Sequence, residues 1–186
     1  EEVSARIHNG TIPIHINGIG ITRVVEAYEG DEIVDTIQRN VNSILDAGGI
    51  ASINHPNYQW AFDHTHIIQV DGASMVEVYN GSPVTNNEGG PGKFTGEEIW
   101  DGVLSAGKPI FGVATDDSHN YYDFAHDKLN PGKGWVVVKA DELSQSAIVD
   151  GLATGEFYAS TGIALTGLEF TAKCFSLSIE QYAQCL

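Results

Sequence analysis

The sequence predicts an α/β fold organised around a largely parallel sheet. Short β-branched runs alternate with helical stretches along most of the chain, and several of those runs are almost continuously apolar, as in strands buried on both faces. The size agrees with this: 186 residues, 42% hydrophobic and 18% charged, are enough to bury one sizeable core. Units joined this regularly close into a barrel or form a doubly wound sheet, and in either case ligands sit at the carboxyl ends of the strands.

Taken in order, residues 11–16 (TIPIHI) and 50–54 (IASIN) read as the first two strands. Between them Asp31 can cap a helix whose apolar residues Ile33, Ile37, Val41 and Leu45 recur every four positions, ended by Gly48 and Gly49. A short helix is expected around 62–70, a strand over 74–80 (SMVEVYN), and then a Gly/Pro/Asn-rich loop to Gly96. Thr95 with Glu98 three residues on is a capping box, opening a helix through Ile99, Val103 and Leu104 that stops at Gly107. Residues 109–116 (PIFGVATD) form the next strand, and a second loop, rich in Tyr, Asp, Asn and Gly, runs to Gly134. WVVVKA (135–140) and FYAST (157–161) read as strands flanking a helix that begins at Ser144. Asn9 and Asn80, each followed by glycine, read as turns. The expected organisation is one unit over 1–162 and a β-rich extension over 163–186.

Composition narrows the function. Nine basic against 25 acidic side chains give a formal charge of −16, which repels a phosphate backbone and makes long nucleic acid a poor partner. Most of these acids serve a solvated surface. No stretch approaches the roughly 20 apolar residues of a membrane span, and EEVSARIHNG lacks the features of a signal peptide. The chain is therefore expected to be soluble, with the cytoplasm as the default compartment. Cys174 and Cys185 have no partners at zinc-like spacing and suggest no disulfide framework. The first residue already sits in structured sequence, so a preceding segment, or a longer parent chain, is expected.

The strand-end rule brings His15, His55, Glu77, Asn80, Asp116, Asp117 and His119 toward one rim. Imidazole and carboxylate together suit zinc, manganese or iron. Each has a plainer reading: His15 as a satisfied strand histidine, Asn54-His55-Pro56 as a turn, Asp117-Ser118-His119 as a loop cap. It is their joint occurrence at successive strand ends that points to metal chemistry. His8 and His126 lie in loops without a companion and are read as structural or solvated. No GxGxxG or P-loop follows a strand, so nucleotide-fold readings lose their support.

GIASINHPNY, SMVEVYNG, GVATDDSHN, GWVVVKA and FYASTG, in this order, resemble the PHP (polymerase and histidinol phosphatase) superfamily of metal-dependent phosphoesterases, over residues 1–162. The resemblance implies a distorted (β/α)7 barrel carrying two or three manganese, iron or zinc ions that activate water against a small phosphate ester or nucleotide. It implies that Glu2 bridges two metals, that His15 and His55 complete one shell, that Asp117 binds the neighbouring ion and His119 a third. Glu2, Asp117 and His119 are thereby the expected catalytic residues, with Asp116 and Asn80 supporting them. The family's opening His-x-His strand does not precede Glu2, so the expected barrel is incomplete at its N-terminus and this chain alone is expected to be weakly active. His64-Thr65-His66, with Asp71, copies that motif's spelling, but in a helical stretch where residues two apart face different sides. Two alternatives accompany this reading: a metallohydrolase of carbamates, amides or carboxylic esters, and a non-catalytic barrel that binds a metal or ligand.

Overall fold

The computed structural model describes residues 1–125, 128–171 and 174–179. Its centre is a five-stranded sheet in the order β1 (Glu2–Ile7), β2 (Ile12–Ile19), β3 (Ile50–Ile53), β4 (Ala73–Asn80) and β5 (Phe111–Thr115). β1 and β2 form an antiparallel hairpin, β2 is antiparallel to β3, and only β3, β4 and β5 run parallel.

The hairpin follows from local chemistry. EVSARI alternates exposed and buried residues, and the turn places His8, Asn9 and Gly10 at φ of 53°, 58° and 83°. Glycine and asparagine tolerate that left-handed backbone best, so Asn9-Gly10 fixes the reversal. Thr11 closes it, its amide donating to the Ile7 carbonyl (3.1 Å) and its hydroxyl to that of His8 (2.8 Å).

The inward residues of the hairpin, Val3, Ala5, Ile7, Ile14 and Ile16, join one core with helix α1 (Ile33–Asp46). The buried apolar line of α1 runs through Ile37, Val41 and Ile44; Leu45 is exposed, because a 3.6-residue period reaches position 44 after 41. Asp31 is not the cap: Glu32 holds that position and makes no side-chain capping bond. Helix α2 (His64–Ile67) is a single turn, shorter than the run expected over 62–70. Helix α3 (Gly96–Ser105) opens with the expected capping box, Thr95 and Glu98 exchanging bonds of 3.0 and 2.9 Å. A second, smaller core links Met75 of β4 and Val113 of β5 to Leu152 of helix α4 (Gln145–Thr154). β4 is thus covered on both faces, Val76 belonging to the first cluster and Met75 to the second.

The expected barrel is not formed. β1 and β5 are the two edges of an open sheet, and β6 (Trp135–Val138) and β7 (Phe157–Ser160) pair only with each other, antiparallel. The four α-helices among the described residues are too few for seven βα units. No helix lies between β5 and β6, whose connection is loop throughout its described part, and the first two strands form a hairpin with no crossover. In the expected extension, β8 (Leu165–Thr171) and β9 (Cys174–Ile179) make an antiparallel pair of their own. His126 and Cys185 lie outside the described residues. No helix among the described residues is long and apolar enough to cross a membrane.

Candidate metal centre

The hairpin brings Glu2 and His15 together. In its register Ser4 lies opposite His15 and Glu2 opposite Asn17, so Glu2 and His15 are diagonal neighbours on the face away from the main core. β3 ends beside them: the Asn54 amide donates to the His15 carbonyl (3.0 Å), and the next residue is His55. Three segments distant in sequence therefore supply Glu2, His15 and His55 to one point.

Around Glu2 Oε1, His15 Nδ1 lies at 3.4 Å and His55 Nε2 at 3.7 Å, and one ligand atom from each residue falls within 4.8 Å of the others. Metal–ligand bonds of about 2.0–2.1 Å place tetrahedral ligands about 3.3 Å apart, so two imidazole nitrogens and a carboxylate oxygen at these separations fit one divalent ion. The cluster could hold a metal ion. The Asn54 amide group donates to the same Oε1 (3.0 Å) and the Ser4 hydroxyl to Oε2 (3.1 Å), fixing the carboxylate. The two imidazole rings meet edge to face at 5.0 Å, and the Tyr58 ring packs against His55 at 5.4 Å.

Behind the cluster, buried Glu77 fixes His55. Its Oε2 accepts from the His55 amide (2.8 Å) and Asn80 Nδ2 (2.9 Å), and its Oε1 from the Thr115 hydroxyl (2.5 Å). His55 sits at φ 22° and Asp117 at φ 51°, left-handed conformations that cost a non-glycine residue energy and must be held by their surroundings. Asn80 spans both carboxylates, reaching Asp117 Oδ2 at 3.3 Å. Hydrogen bonds to His15 and His55 hold the Glu2 carboxyl far below the usual carboxylate range, against its partial burial. Burial disfavours the charged form of His55, but its bond to Glu2 and the charges of Glu77 and Asp117 outweigh that and raise its pKa. Burial pushes Glu77 upward against the pull of His55 and its hydrogen-bond donors.

All five expected ligands, Glu2, His15, His55, Asp117 and His119, line one cavity of about 180 Å³, with Tyr58, Ser82, Val84 and Leu129. Asp117 and His119 stand outside the three-ligand cluster but close to each other, Oδ1 to Nδ1 3.5 Å, and His119 Nδ1 also meets the Asp117 carbonyl at 2.8 Å. Asp116 is not a cavity residue. Its Oδ1 accepts from the amides of Lys133 and Gly134 (2.6 and 2.8 Å) and ties down the return into β6. His64, His66 and Asp71 are elsewhere: His64 packs on Phe94, His66 pairs with Asp63, and Asp71 with Lys108. Sequence reasoning missed Glu77's hold on His55 and the cavity wall of Tyr58, Val84 and Leu129. Tyr58 alone had a local signal, three residues beyond His55 in the turn its amide closes onto the His55 carbonyl. Comparison of the chain with family models, curated proteins and solved structures gives no match.

Proposed function

We propose that this chain is a metal-dependent hydrolase that holds manganese, iron or zinc on Glu2, His15 and His55 and acts on a small phosphate ester. One observation carries the reading: three ligand atoms converge within 4.8 Å in a cavity that Asp117 and His119 also line. The resemblance of the Asn54-His55-Pro56 and Asp117-Ser118-His119 segments to PHP phosphoesterases supports phosphate as the bond attacked and supports a neighbouring ion on Asp117, with His119 beside it. An ion held by three protein ligands keeps a position for water and lowers its pKa toward neutrality. The chain's own residues serve that arrangement. Glu77 and Asn80 set the strained His55 and Asp117, and the Tyr58 ring shields the imidazoles from bulk water.

A second reading keeps the metal and changes the bond to a carboxylic ester, amide or carbamate. Its support is that no lysine or arginine is among the described residues lining the cavity, so the charge of a phosphate would be met by metal and imidazole rather than by a basic clamp. The deciding experiment is metal content per chain by elemental analysis, followed by hydrolysis assays on phosphate and carboxylic esters. His55→Ala is expected to lose bound metal, and Asp117→Ala to retain at least one equivalent while losing hydrolysis. Unchanged metal content and unchanged hydrolysis in both variants would remove the assignment.

A further inference from the structure

We infer that the substrate of this site carries an apolar, preferably aromatic, organic group and little charge beyond the bond that is cleaved. The inference rests on the metal-dependent hydrolase reading and adds the substrate class. Its first support is the chemistry of the cavity wall. Tyr58, Val84 and Leu129 line the same cavity as Glu2, His15 and His55, and no lysine or arginine is among the described lining residues. A formal charge of −16 adds long-range repulsion against a di- or triphosphate.

The second support is the loop that begins at Asp117 and returns at Leu129. Both ends line the cavity, and between them Tyr121, Tyr122 and Phe124 stand 58%, 97% and 69% exposed. Three exposed aromatic rings on one short stretch are unusual on a solvated surface. These are not loose residues. Asn120 Oδ1 accepts from the amides of Tyr122 and Asp123 (3.1 Å each), and the Tyr121 hydroxyl donates to the Ser118 carbonyl (2.9 Å). Buried Asn130 donates to the carbonyls of Asn120 and Asp123 (2.9 and 2.8 Å), and the His119 amide to that of Leu129 (3.0 Å). A loop so cross-braced has its backbone and the Tyr121 ring set before anything binds, which lowers the entropy lost on ordering them. Tyr121, Tyr122 and Phe124 do not line the cavity itself; on this inference they meet the part of the substrate that extends beyond it, from the loop that also delivers Asp117 and His119.

The test uses non-hydrolysable ligands, so that it does not depend on turnover. Metal-loaded protein is titrated by calorimetry with phenylphosphonate, methylphosphonate and ADP. Phenylphosphonate is expected to bind about tenfold more tightly than methylphosphonate, with ADP weakest. Tyr122→Ala/Phe124→Ala is expected to erase most of the phenyl preference while leaving metal content unchanged. Val84→Lys, at an exposed position of the wall, is expected to improve ADP binding relative to phenylphosphonate. Equal affinity for the two phosphonates, or a preference for ADP in the unaltered protein, overturns the inference and leaves the metal reading intact. A chain that takes up no metal overturns both.

Discussion

Glu77 accepts three hydrogen bonds while only 4% of its surface is exposed, and the backbone it holds is that of His55. Glu77→Ala leaves a cavity and two buried donors without an acceptor, and is expected to lower stability by about 3 kcal/mol in urea titrations. Glu77→Gln can keep all three bonds, because its amide group can face the Thr115 hydroxyl, which then accepts. The two variants also separate by pH. Burial raises the Glu77 pKa, so the fold favours its protonated form; that contribution is complete below the ordinary value of about 4.3 and declines as pH rises toward the folded value. Glutamine does not titrate, so metal-free Glu77→Gln should gain stability relative to the unaltered protein between pH 4 and 7. A difference that stays constant or moves the other way contradicts the assignment. His55 yields a further expectation: its pKa is raised, and a proton competes with the ion for Nε2, so metal affinity should fall between pH 8 and pH 6 with protons released on binding. Calorimetry in two buffers of different ionisation enthalpy counts them.

Among the elements, those fixed by local chemistry were legible and those fixed by pairing were not. The Thr95–Glu98 capping box and the helix from Ser144 involve neighbours three residues apart, and they appear as expected. Strand partners are chosen by the whole chain. The run through His15 reads equally well as the first strand of a βα unit or as half of a hairpin, and only the alternation of EVSARI with Asn9-Gly10 signals the latter. That one pairing changes a parallel barrel into an open mixed sheet. It also explains how the five residues still line one cavity: His55 and Asp117 follow parallel strands, as the strand-end rule requires, while Glu2 and His15 reach the same rim through the hairpin. Two glycines test the packing. A Cβ at Gly96 collides with the Val78 carbonyl oxygen, so Gly96→Ala should push α3 off β4 and cost about 2–3 kcal/mol. Gly10 has φ 83° and open space around it, so Gly10→Ala pays only for the backbone, about 1 kcal/mol. Thermal unfolding of the two variants should rank them in that order.

For the whole molecule, a formal charge of −16 implies that repulsion opposes the compact state, and the cluster at Glu2 concentrates a demand for cations. Manganese or zinc should therefore stabilise the chain beyond the effect of sodium chloride at equal ionic strength, by ~2.7 kcal/mol when the free ion is about 100 times Kd. His55→Ala should respond to both salts alike, which differential scanning fluorimetry can read. The ligands that converge also span 54 residues, from the edge strand β1 at Glu2 to His55, two residues past the end of β3. An ion there would clasp the outer ribbon of the sheet to its centre. Loading should then slow amide deuterium exchange from Val3 to Ile7, where fraying begins at an edge, and leave the interior of β4 unchanged, so the metal's occupancy would be written into the motion of a strand that contributes only one of its ligands.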